Sequence, residues 1–85
     1  MASEIKVRVK FFASAREIVG HREVEMRIKK GTKANDLLDI LIKRYPDLND
    51  LKDQLILAVN KQTGKADKNL KDGDEIAVLP PVTGG

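Results

Sequence analysis

Ile5, Val7, Val9 and Phe11 alternate with Lys6, Arg8 and Lys10 near the start of the chain. This period of two predicts a strand with one face in a core and the other in water. Phe12 breaks the alternation by placing a second aromatic on the wet side. After a polar stretch containing Gly20, Val24, Met26 and Ile28 alternate with Glu25, Arg27 and Lys29 in the same way. The two strands read as a hairpin with a longish loop. At Gly31-Thr32 the period changes. Ala34, Leu37, Leu38, Leu41, Ile42 and Tyr45 recur at helical spacing, which predicts a helix over 32–45 with Thr32 as its N-cap. Pro46 cannot extend that helix, since it lacks the amide proton an interior position must donate. Asp47-Leu48-Asn49-Asp50-Leu51 reads as a loop or short helical turn whose leucines cover the core edge.

Leu55-Ile56-Leu57-Ala58-Val59 is short and wholly apolar, and Asn60 closes it, so a third strand is expected. Two turns follow, one around Thr63-Gly64 and one at Asp72-Gly73-Asp74. Ile76-Ala77-Val78-Leu79 is the last strand, cut off by Pro80-Pro81. The order β, β, α and then further β predicts an α+β fold: a mixed sheet with one main helix packed across one face. If the last strand lies beside the first, that pair is parallel, because its connection runs through the helix. The expected organisation is one domain over 1–79 and an extended tail over 80–85.

Composition narrows the chemistry. The 85 residues contain no cysteine, which removes disulfides, thiolate nucleophiles and thiolate metal sites together. His21 is the single histidine, expected in a solvated loop, and no metal site is expected. Residues 1–33 carry nine Lys or Arg against four Glu, while the whole chain is only +3. Three aromatics and no dense basic stripe argue against nucleic-acid binding. No run approaches the length of a membrane span, and the N-terminal residues lack the pattern of a signal peptide, so a cytoplasmic location is expected. Asp72 and Asp74 flank Gly73 as a turn would require and are read as backbone-directing residues. Asp36 and Asp39 suit the positive end of the helix. Gly31-Thr32 lacks the surroundings of a phosphate loop.

The segment Pro80-Pro81-Val82-Thr83-Gly84-Gly85 is the most informative. Two prolines remove two amide donors and hold the backbone extended, so the tail is expected to leave the sheet. Six extended residues reach about 20 Å. Gly84 and Gly85 carry no Cβ, which lets a terminal carboxylate enter a channel too narrow for other residues.

Lys10-Phe11-Phe12-Ala13 with Arg16-Glu17 and Gly20, then Val59-Asn60, Leu70, Asp72-Gly73-Asp74-Glu75 and the terminal PPVTGG, together resemble the MoaD/ThiS family of ubiquitin-like sulfur carriers. The likeness is closest to its MoaD type, the small subunit of molybdopterin synthase. It runs from about residue 5 to the end. It implies a ubiquitin-like β-grasp fold. It also implies that an ATP-using, ubiquitin-activating-type adenylating enzyme converts Gly85 to an acyl-adenylate, and that a sulfur donor displaces AMP to leave a thiocarboxylate. The carrier binds no cofactor of its own in this scheme. It inserts its tail into a large molybdopterin synthase subunit and gives up the sulfur to a pterin precursor. This small subunit contributes positioning and no active site of its own.

Parity suggests where such a partner docks. With Ile76 and Val78 inward, Ala77 and Leu79 face outward beside Arg8, Lys10 and Phe12. The resemblance places Phe12 and Leu79 at the subunit interface, with Pro80, Pro81, Val82 and Thr83 leading to Gly84 and Gly85. Three other readings stay open: a ubiquitin-like modifier conjugated to lysines, a sulfur carrier for tRNA thiolation or thiazole synthesis, and a binding module with an inert tail.

Overall fold

The computed structural model describes residues 3–81. Strand β1 (Glu4–Phe11) leads to a short helix α1 (Ala13–Val19), and strand β2 (Glu23–Lys29) leads to the main helix α2 (Ala34–Arg44). A 3₁₀ segment, Pro46–Gln54, then feeds β3 (Ile56–Val59), and β4 (Glu75–Leu79) completes the sheet. The spatial order is β2-β1-β4-β3. β1 pairs antiparallel with β2 and parallel with β4, while β3 pairs antiparallel with β4. This is the mixed sheet that the order of elements implies, in the β-grasp arrangement that the resemblance implies, with the first and last strands side by side at its centre.

The alternation in the sequence translates directly into burial. Val7, Val9 and Phe11 from β1 meet Met26 and Ile28 of β2, Ile76 and Val78 of β4, and Leu37 and Leu41 of α2 in one core. Leu48 of the 3₁₀ segment and Leu70 of the loop before β4 close it from the side. Burying a side chain of this size contributes about 1.5–3 kcal/mol each. Phe11 also stacks edge-on against Tyr45, with ring centroids 5.9 Å apart and planes at 78°.

Two local readings are corrected. The connection between β1 and β2 is not a plain loop but contains α1, anchored by buried Ala15 and Val19. Gly20 ends it in the left-handed region (φ 82°), its amide donating to the Arg16 carbonyl at 2.8 Å. Thr32 does not cap α2. Its hydroxyl donates to the Lys29 carbonyl at 2.6 Å, a local bond that competes with capping, and the helix begins at Ala34. The Lys33 amide instead donates to the Asp36 carboxylate at 3.2 Å.

Candidate functional site

The candidate site is the outer face of the sheet at the end where β4 leaves it. β4 is held on both sides, Phe11↔Val78 with β1 and Leu57↔Val78 with β3. Its inward residues, Ile76 and Val78, are fully buried. Ala77 and Leu79 therefore face away from α2, as parity requires, and both are half-buried. Lys10 and Ala58 flank Ala77, and Ile56 lies directly across from Leu79.

Phe12 continues the alternation of β1. Its backbone is extended (φ −118°, ψ 151°), and its amide donates to the Val78 carbonyl at 3.3 Å. The ring is consequently outside the core and 44% exposed. The next residue, Ala13, sits at φ 49°, a left-handed conformation that costs an L-residue roughly 1–2 kcal/mol. That sharp turn starts α1, whose first amides, from Ala15 and Arg16, donate to the Phe12 carbonyl at 3.1 and 3.3 Å. Phe12, Ala77, Leu79 and Ile56 thus form an apolar band across the end of the sheet from which Pro80 and Pro81 depart. Pro80 and Pro81 are half-buried, while Val82, Thr83, Gly84 and Gly85 lie outside the described residues.

Ile56 is the residue that sequence reasoning missed. It is 51% exposed, the most open of the large apolar side chains among the described residues. The continuous apolar run 55–59 hides its parity. Setting Val59 inward, as applied to Ile76 and Val78, would have put Ile56 outside.

Ion pairs border the band. Lys10 Nζ lies 2.8 Å from Glu75 Oε1, and Arg8 Nε lies 3.5 Å from Glu23 Oε2. The hydrogen bond from Lys10 holds the Glu75 carboxyl below the usual carboxylate range. Desolvation opposes this shift, and the charges of Lys10, Lys61 and Arg8 assist it.

The acidic turn is structural. Asp72 Oδ1 accepts from the Lys6 amide at 2.8 Å, while Asp74 accepts from Asn60 Nδ2 at 2.9 Å and from the Lys71 amide at 2.8 Å. Asn60 Oδ1 in turn accepts from the Glu75 amide at 3.0 Å. Gly73 supplies the left-handed residue (φ 87°) that lets the turn close. Val59-Asn60 and Asp72-Gly73-Asp74-Glu75 therefore fix where β4 begins, and through it where the tail starts. His21 is exposed, as expected for a solvated loop.

The ThiS family model matches residues 9–85, nearly the whole chain. The chain belongs to the ThiS family. The molybdopterin synthase sulfur carrier subunit of Drosophila ananassae is 42% identical over 84 residues, covering 95% of this ThiS-family chain and 92% of that protein. Among solved structures, the putative molybdopterin converting factor subunit 1 of Pyrococcus furiosus superposes with a TM-score of 0.83 at 34% identity, covering 92% of this chain and 99% of that one. The small archaeal modifier protein 1 of Haloferax volcanii gives 0.81 at 27% identity, with 92% and 99% covered. A complex of subunits 1 and 2 of the molybdopterin-converting factor from Helicobacter pylori gives 0.64 at 29% identity, with 95% and 100% covered. The fold is thus that of ubiquitin-like β-grasp proteins, and the sulfur-carrier resemblance holds along the whole domain.

Proposed function

We propose that this chain is the sulfur-carrying small subunit of a molybdopterin synthase, with Gly85 as its reactive residue. The observation that carries the reading is the placement of the apolar band: Ala77 and Leu79 face outward on the strand that runs into the tail, with Ile56 of β3 and Phe12 at the end of β1 exposed beside them. A large subunit that covers this band receives the tail by the same act. The subunit pair from H. pylori supports such a partner.

The chemistry follows from the terminus. An ionised α-carboxylate is a poor electrophile, and its pKa of about 3.3–3.7 keeps it ionised at neutral pH. It becomes reactive when it attacks the α-phosphorus of ATP on an adenylating enzyme, expelling pyrophosphate. Sulfide-level sulfur delivered by a donor then attacks the acyl-adenylate carbonyl, the C–O bond to AMP breaks, the sulfur's proton is lost to solvent, and a thiocarboxylate remains with no change of oxidation state. No side-chain thiol is needed, and the chain has none. Pro80 and Pro81 reduce the freedom lost when the tail is threaded, and Gly84 and Gly85 leave room beside the reacting atom. The domain is a rigid holder, and the energy comes from ATP on the adenylating enzyme.

The test is intact-mass spectrometry after incubation with ATP, an adenylating enzyme and a sulfur donor. The expected result is replacement of one oxygen by sulfur at the terminus, and pterin product once the large subunit is added. Deleting Gly85 should abolish both with the fold unchanged. Undiminished transfer by that deletion would refute the reading. A second reading, a modifier joined to target lysines, is favoured by the likeness to the H. volcanii protein, and its signature is isopeptide conjugates in the same incubation.

A further inference from the structure

Beside Phe12 the surface opens into a cleft of about 450 Å³, lined by Lys10, Phe11, Phe12, Arg16, Arg22 and Glu23. Backbone hydrogen bonds fix the chain positions that carry its two arginines. Arg16 lies in α1, between its own amide bond to the Phe12 carbonyl and the Gly20 amide bond to the Arg16 carbonyl at 2.8 Å. Arg22 is held against β1 by the Phe11 amide, which donates to the Arg22 carbonyl at 3.0 Å.

The charges around the cleft do not cancel. Lys10 is engaged by Glu75 at 2.8 Å, and Glu23 by Arg8 at 3.5 Å. Among the described residues, neither Arg16 nor Arg22 has a carboxylate within ion-pair distance. Two arginines without a carboxylate partner among the described residues thus line one cleft with an exposed aromatic ring. Guanidinium binds carboxylate through two parallel N–H···O bonds, and such pairs beside a buried aromatic anchor dominate many interfaces.

We propose that Arg16 and Arg22 form a receptor for carboxylate side chains of the partner that docks over Phe12, so that the partner places an acidic segment next to its apolar contact. This deepens the proposed function and rests on it, since the partner meant is the large synthase subunit. Arg22 precedes β2 and lies outside the motifs that carry the family resemblance.

The experiment measures calorimetric affinity of purified large subunit for wild type, Arg16→Glu, Arg22→Glu, Arg22→Lys and Lys43→Glu, the last on the exposed face of α2 as a control. Salt is varied between about 0.05 M and about 0.5 M, where the Debye length falls from above 10 Å to a few ångströms. Each glutamate reversal is expected to weaken binding about ten-fold or more at low salt, with the deficit shrinking at high salt. Arg22→Lys should retain most of the affinity, and Lys43→Glu all of it. Circular dichroism must stay unchanged in every variant. Reversals that bind like wild type, or no worse than Lys43→Glu, overturn the proposal. A wild type that binds no large subunit refutes the proposed function itself, and the receptor with it.

Discussion

Phe11 and Phe12 are adjacent in the chain, yet their truncations are expected to fail in opposite assays. Phe11 is 1% exposed and packed edge-on against Tyr45, so Phe11→Ala leaves a cavity. Truncations of that kind cost about 3–5 kcal/mol. A domain of this size has only about 4–13 kcal/mol in total, so much of its stability goes. Phe12 leaves no enclosed cavity, and Phe12→Ala should cost at most about 1 kcal/mol of stability. Its value lies in what remains uncovered. With 44% of the residue open, and an aromatic side chain offering about 200 Å², about 90 Å² is available to a partner. At about 25 cal/mol per Å² this is about 2 kcal/mol, or a roughly 30-fold loss of affinity. The assays are thermal melting and titration calorimetry with the large subunit. If Phe12→Ala melted as early as Phe11→Ala while binding was intact, the outward assignment would be wrong.

Leu41→Ala removes a fully buried side chain of α2 and should cost about 2–5 kcal/mol, lowering Tm by at least about 10 °C without changing the mass of the activated terminus. Lys61→Gly should raise stability by about 0.5–1 kcal/mol, read by urea unfolding, because Asn60 and Lys61 form a two-residue turn with φ of 51° and 70° and glycine takes the second position without a Cβ penalty. Glu75 has a depressed folded-state pKa, so its contribution is present above the unfolded value and lost as pH falls through the folded one. Glu75→Gln should therefore differ most from wild type at about pH 6, and the difference should shrink at about pH 3, below the ordinary glutamate pKa of about 4.3. Equal offsets at both pH values would show that the Lys10 pair plays no part.

The sheet was legible because each strand presents one face to the core, and period two survives in β1 and β2 with charged residues marking every outward position. The main helix was legible from Leu37 and Leu41 one turn apart. What escaped was short or locally overridden. α1 has only two turns, and although Ala15, Ile18 and Val19 have helical spacing with Gly20 behind them, isolated segments of that length are unstable and form only by packing. Thr32 looked like a cap because its residue type is right, but its hydroxyl found a nearer acceptor at Lys29. At the candidate site, Phe12 and Leu79 follow from parity, whereas Ile56 sits in a run with no polar residue to mark its face. The pairing of Arg16 with Arg22 across a cleft depends on how α1 packs, which no local pattern encodes.

The strands are synthesised in one order and arranged in another. β1 emerges first, but one of its two edges stays open until β4 arrives, since residues 8 and 75 are neighbours across the parallel ladder. β3, made just before, has β4 as its ladder partner, so it too waits. A nascent chain that stops short of Glu75 therefore holds one hairpin and an uncovered apolar face, the kind of surface that aggregates or recruits chaperones. Such distant pairing also makes folding slow for so small a domain. Premature termination yields no shortened yet folded carrier, because the strand that closes the sheet is the one that leads to the tail.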